Sequence, residues 1–165
     1  MSYRGALLLL GMLLGMSLVS RAKAIEVSAA RTFFRQATSE QQKTFRQYTL
    51  EDQFGLFLFG SQVRHPPALY LARCFALNGS SAVELLRARL GAASDDLTVR
   101  DIAVLLATID EMRIYDVAGD AQLLNALRND IARMRDDNWR EVAQQEVQNI
   151  GRFRSRHTPL SPECG

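Results

Sequence analysis

The chain has 165 residues, of which 47% are hydrophobic and 23% are charged, with two cysteines and two histidines. That length is typical of one ordinary domain. Its net charge of +2 comes from residues 1–24, which hold three basic and no acidic side chains, so the remaining residues carry 17 basic and 18 acidic groups. This balance gives no electrostatic basis for binding nucleic acid.

The N-terminus has the pattern of a secretory signal peptide. Residues 1–4 contain one positive charge, residues 5–19 are uncharged and largely apolar, and Ala22 and Ala24 form an A-x-A pair. These are the three regions that such a signal needs, and the apolar run is shorter than the roughly 20 residues of a membrane-spanning helix. We therefore expect a signal peptide at residues 1–24, a periplasmic or secreted protein, and a mature chain starting at Ile25. The alternative is an uncleaved membrane anchor.

The first predicted helices lie between residues 29 and 62. A short helix is weakly indicated at residues 29–36. Ser39 and Gln42 fit a capping box, which predicts a helix over residues 40–48. The glycine-bounded stretch at residues 54–60 fits either a buried strand or a helix. We expect a helix, because no second strand is evident to pair with it and its apolar residues have helical spacing.

Residues 67–78 predict a helix that is apolar on nearly all sides. Nine of the ten residues in 68–77 are apolar, Pro67 suits a first helical turn, and Gly79 suits a helix end. Such a helix must be covered all round, so we expect it to be central. A second capping box, Ser81 to Glu84, predicts the start of the next helix.

Three longer amphipathic helices are predicted in the second half of the chain. Thr98 is expected to cap the first, the second covers residues 123–134, and Asp137 opens the third. Five residues of the third helix are expected to face inward: Trp139, Val142, Ala143, Val147 and Ile150. With short loops throughout, the chain predicts a single all-α domain at residues 25–151, built as a short stack of antiparallel helix pairs, followed by a polar, flexible tail at residues 152–165.

Cys74 and Cys164 leave two alternatives open. In an oxidising compartment they can form a disulfide. Otherwise Cys74 is a buried thiol that behaves as a small hydrophobe, and Cys164 is free on the tail. Nothing in the sequence predicts that the tail folds back onto the core, which favours free thiols.

The helix spacing over residues 67–107 resembles HEAT-like helical repeats. The residues that carry the likeness are Pro67, Ala72, Gly79, Val83, Leu86, Leu90, Asp95, Asp96, Val99, Arg100, Ala103 and Leu106. The resemblance implies a solenoid that acts by protein–protein contact. Because alternating amphipathic helices produce this pattern easily, a compact helical bundle is the alternative.

Motifs that support catalysis or metal binding are missing from the sequence. It contains no G-x-S-x-G, Walker or G-x-G-x-x-G string and no zinc-binding spacing. The pairs Asp95-Asp96 and Asp136-Asp137 are interpreted as helix caps at loops rather than as catalytic carboxylates. We therefore expect no catalytic residues, cofactor or metal. An unrecognised enzyme is the alternative, and Asp95 or Asp116 facing Arg100 in a deep pocket would favour it.

Exposed arginines are the candidate partner contacts. These are Arg87, Arg89, Arg128, Arg152 and Arg154, although acidic neighbours such as Glu84 and Asp130 favour a surface of ion pairs. The sequence favours an exported, non-enzymatic helical protein that binds a protein partner in a bacterial periplasm, without nucleic acid and without stable membrane insertion after signal cleavage. In size and architecture it also resembles the immunity proteins that neutralise type VI secretion amidase effectors.

Overall fold

A computed structural model describes residues 25–93, 95–152 and 164, and over these residues the chain is all-helical, with loops but no strands between the helices. The predicted signal peptide and most of the predicted tail lie outside the described residues. The described helices are α1 (Val27–Phe33), α2 (Thr38–Phe45), α3 (Leu50–Gln62), α4 (Leu71–Ala76), α5 (Ser80–Arg89), α6 (Asp96–Glu111), α7 (Ala121–Ala132) and α8 (Asp137–Asn149). The all-α prediction is confirmed, including a helix rather than a strand at residues 54–60. No helix in this part of the chain has the length and apolar character needed to span a membrane.

Helix α6 is the centre of the fold. Ten of its sixteen residues are buried, and it packs against α3, α4, α5, α7 and α8. Its N-cap is Asp95, whose carboxylate accepts hydrogen bonds from Thr98 N at 2.8 Å and Thr98 Oγ1 at 2.9 Å. The prediction that Thr98 is the cap was therefore wrong, because Asp95 satisfies the exposed N–H groups of the first turn.

The apolar segment predicted at residues 67–78 forms the much shorter helix α4. Five of its six residues are buried, with Arg73 the exception, and α2, α3 and α6 cover it. The helix starts late because residues 63–70 form the loop after α3, in which Ala68 N donates to Gly60 O at 3.0 Å. Its apolar character is thus explained by burial on several sides, as expected, although α6 rather than α4 is the central helix.

The two predicted capping boxes are not used. Helices α2 and α5 begin before them, at Thr38 and Ser80, and their N-caps, Ala37 and Gly79, make no side-chain cap hydrogen bond. Gly79 has a φ of +64°, a conformation that glycine adopts without steric cost. The local sequence pattern placed the starts of α2 and α5 too late, because tertiary packing determines where the preceding turn ends and the helix begins.

Helix α8 runs parallel to α6 and is attached at both ends. Near its start, Asp96 accepts hydrogen bonds from Arg135 N at 2.8 Å and Asp136 N at 2.7 Å. Beyond its end, buried Asp110 accepts from Gly151 N at 2.7 Å. The N-terminal ends of the two helices therefore lie together, as do their C-terminal ends.

The inward side of α8 differs from the prediction. Ala143 is fully buried, and Val147 and Ile150 pack partly buried against the core. Trp139 and Val142, however, are 36% and 39% exposed. The expectation that these two residues are buried in the core was wrong. Val142 lies beside the contact face of α8, and Trp139 packs against Arg100 of α6 while part of its side chain stays exposed.

A disulfide joins Cys74 of α4 to Cys164, with Cα atoms 5.2 Å apart. Cys164 is buried, and its Sγ lies 3.5 Å from the carbonyl oxygen of Gln42 in α2. Of the two alternatives for the cysteines, the structure therefore has the pair, and Cys164 folds back onto the core. Neither cysteine is available as a free thiol.

We expect the Cys164→Ala variant to be less stable than the native protein by about 4 kcal/mol, because the disulfide closes a loop with a sequence separation of 90 residues. Urea unfolding followed by circular dichroism measures this difference. Reducing the native protein with dithiothreitol should lower its stability to that of the variant and leave the variant unchanged. Equal stability of the oxidised and reduced native protein would contradict the prediction.

Candidate functional site

A buried carboxylate links α3 to α6. Asp101 is fully buried and accepts hydrogen bonds from Ser61 Oγ at 2.6 Å, Gln62 Nε2 at 2.9 Å and Arg100 Nε at 2.9 Å. Burial raises the pKa of Asp101, while these donors favour its ionised form. The network holds the Arg100 guanidinium in one position at the surface of α6.

Trp139 of α8 lies on this guanidinium. The Arg100 Cζ is 4.7 Å from the ring centroid of Trp139, within the range of a cation–π interaction. Arg100 itself is only 9% exposed, so the ring covers it from one side and presents its other side to solvent. Trp139 is therefore an exposed aromatic side chain on a rigid support.

The exposed surface of α8 continues from Trp139 along a shallow groove. Trp139 and Val142 are three residues apart and share one side of the helix. The groove has a volume of about 440 Å³, and its lining residues are Asn138, Glu141, Val142, Gln145 and Glu146. We call Trp139 together with these five residues the α8 surface. It combines two exposed apolar side chains with two carboxylates.

Of the five arginines predicted as partner contacts, two form ion pairs within the molecule. Arg87 Nη2 lies 2.6 Å from Asp120 Oδ2, and Arg89 pairs with Glu51. Arg128 on α7 and Arg152 are exposed, and Arg154 lies outside the described residues. Arg87 and Arg89 thus follow the ion-pair alternative.

The paired aspartates act at helix starts. Asp136 is the N-cap of α8, accepting hydrogen bonds from Asn138 N at 2.9 Å and Trp139 N at 3.1 Å. Asp95 caps α6 as described above, and Asp116 accepts from Gly119 N at 2.6 Å. Arg100 bonds to Asp101, not to the Asp95 or Asp116 that a catalytic arrangement would have favoured.

The other buried carboxylates also bind backbone donors. Asp130 accepts from Gly91 N at 2.5 Å and pairs with Arg133, and Asp110 accepts from Ala118 N at 3.2 Å. Within the described residues, no group of three or more histidine, cysteine or carboxylate side chains is placed to hold a metal ion. These contacts give the buried acids a structural role in joining loops to helices.

Asp120 is the most strongly shifted titratable group on the surface. Hydrogen bonds from Leu123 N at 3.0 Å, Arg87 and the Tyr115 hydroxyl at 2.8 Å lower its pKa from 3.8 to about 2. The same carboxylate is the N-cap of α7. The network ties α5 and the α6–α7 loop to the start of α7.

Searches of protein families, curated proteins and solved structures found no match to this chain.

The sequence placed Trp139 and Val142 in the core, and the helical angles argue against this for Val142 alone, because Trp139 lies about 20° from Ile150 and about 40° from Ala143. At 100° per residue, Ala143, Val147 and Ile150 fall within about 60° of one another, and Val142 lies about 80° or more from each of them. Together with Val142, the apolar residues of α8 therefore span a wider arc than the neighbouring helices cover. Val142 lies at the uncovered edge of this arc, and for that reason the prediction that it is buried failed.

We expect the Asp120→Asn variant to lose less stability than the native protein as the pH falls from 4 to 2. In the native protein, the stabilising effect of ionised Asp120 is complete above its unfolded pKa of 3.8 and is lost as the pH falls through its folded pKa of about 2. After allowance for solvent screening, the difference should be about 1 kcal/mol. Urea unfolding at several pH values measures it.

Glu141→Gln is the control, because this change removes an exposed carboxylate outside the network. Its pH profile should match that of the native protein. A profile of Asp120→Asn that also matches the native protein would contradict the proposed network.

Proposed function

We propose that this chain is an exported, non-enzymatic helical domain that binds a protein partner through the α8 surface. The observation that carries the proposal is Trp139, which is exposed yet held against the fixed guanidinium of Arg100. Tryptophan and arginine are the residues most enriched among those that dominate binding energy at protein interfaces.

The support beneath Trp139 favours binding. A side chain that is already ordered before association loses less conformational entropy when the partner arrives. Arg100 is ordered by Asp101, which in turn is bonded to two side chains of α3. The ring can therefore present a defined apolar surface to a partner at a low entropic cost.

The charge around the α8 surface indicates the chemistry of the partner. Residues 91–151 carry twelve acidic and six basic side chains, and Glu141 and Glu146 line the groove beside Val142. A complementary segment would offer an apolar side chain flanked by lysine or arginine. Opposite charges of this kind increase the association rate and discriminate among partners.

Two features support export to a bacterial periplasm. Residues 1–24 have the pattern of a secretory signal, and the Cys74–Cys164 disulfide is of a kind that persists in oxidising compartments. The proposed partner would therefore be an envelope or secreted protein.

We expect the tagged protein to retain one dominant partner from envelope extract, and we expect the Trp139→Ala variant to retain at least tenfold less of it. Loss of a central interface tryptophan commonly reduces affinity by more than this. Quantitative mass spectrometry of the retained proteins measures the ratio. An amidase as the partner would specify the function as immunity.

Val142→Ser and Ile114→Ser provide a matched comparison, because Val142 is 39% exposed on the α8 surface and Ile114 is 38% exposed elsewhere. The first should weaken retention and the second should not. Thermal melts of all variants separate lost binding from lost folding. Equal retention by native protein and both α8 variants would exclude this surface.

A further inference from the structure

The loop between α3 and α4 exposes a group of apolar side chains. Val63 and Leu69 are 61% and 50% exposed, and Pro66 and Pro67 between them are also exposed. Single exposed apolar residues are ordinary on a protein surface. Here four occur within seven residues, and we call residues 63–69 the apolar loop.

The apolar loop is held in place from beneath. Arg64 Nη1 donates to Phe34 O at 2.9 Å, and its guanidinium lies 5.1 Å from the Phe34 ring centroid. Ala68 is buried and bonds through its N–H to Gly60 O. These contacts join the loop to α1 and α3, so its exposed side chains project from a fixed base.

The surroundings of the loop carry positive charge. Residues 27–39 and 53–83 contain no aspartate or glutamate at all. Arg64 is bonded to Phe34, and the next residue in the chain, Arg35, is exposed. Arg31 on α1, one turn earlier, is also exposed. Residues 25–90 hold eight basic and five acidic side chains, in contrast to the acidic residues 91–151.

We propose that the apolar loop docks onto the surface of an anionic phospholipid bilayer, with Val63 and Leu69 entering the interfacial region and Arg31 and Arg35 facing the lipid headgroups. Apolar side chains flanked by arginine, in segments of the sequence that contain no acidic residue, are suited to this boundary.

The docking would use a different part of the chain from the α8 surface. Either activity can fail without the other, since the residues that carry them do not overlap.

Co-sedimentation with lipid vesicles tests the proposal. The protein should bind vesicles containing phosphatidylglycerol more tightly than vesicles of phosphatidylcholine alone, and binding should weaken between low salt and about 0.15 M salt, because added ions screen the arginines. Leu69→Ser should reduce the partition coefficient about tenfold. Arg35→Gln should reduce it about fivefold on the anionic vesicles only.

Two matched variants serve as controls. Ile114→Ser changes an exposed apolar residue outside the loop, and Arg128→Gln changes an exposed arginine on α7. Both should bind as the native chain does. Every protein is prepared from Ile25 onward, so that the apolar residues 5–19 make no contribution to vesicle binding.

Native binding that is insensitive to lipid charge, or loop variants that bind as tightly as the controls, would overturn the proposal. If Leu69→Ser and Arg35→Gln leave vesicle binding unchanged but abolish retention of a protein from envelope extract, the loop is a protein-binding surface instead. Thermal melts of each variant confirm that the compared proteins are folded.

Discussion

The fold depends on the burial of charged groups along α6. Arg100, Asp101 and Asp110 lie among its ten buried residues, and an unpaired charge in such a position costs several kcal/mol. Each therefore has bonding partners from outside the helix. Ser61 and Gln62 bring α3 to Asp101, and the N–H of Gly151 brings the end of α8 to Asp110. Apolar packing alone would allow these helices to slide, whereas directional hydrogen bonds determine their register against α6.

The candidate site is a consequence of that arrangement. The buried carboxylate of Asp101 holds the Arg100 guanidinium in place by hydrogen bonds. The Trp139 ring packs against this fixed guanidinium and stays partly exposed. Charge is unevenly distributed along the chain. Residues 25–90 carry a net side-chain charge of +3, and residues 91–151 carry a net side-chain charge of −6. An acidic surface for a protein and a basic, apolar loop for a membrane are the two functions that this division supports.

The sequence predicted helices more reliably than it predicted their ends. The stripe on α6 and the glycine-bounded stretch in α3 were both identified, because helical periodicity is a property of neighbouring residues. The caps were displaced by two or three residues, since the N-caps are Ala37, Gly79 and Asp95 and not Ser39, Ser81 and Thr98. The arginines were identified as surface groups, but whether Arg87 faces Asp120 or a partner depends on residues 33 positions away. Trp139 was placed inward because a large aromatic residue is usually buried.

By itself, the amino-acid sequence determined the all-α class and the approximate places of the helices, because these properties arise from local patterns and composition. It also showed which known catalytic motifs the chain lacks. Only the tertiary structure decided that α6 is the centre, that Cys74 meets Cys164, and that Asp101 supports the pair of Arg100 and Trp139. These outcomes join residues 38 to 90 positions apart in the chain, or depend on which part of an apolar arc a neighbour covers. Such choices follow from the packing of whole helices, where burial and hydrogen bonding of distant groups must be satisfied together.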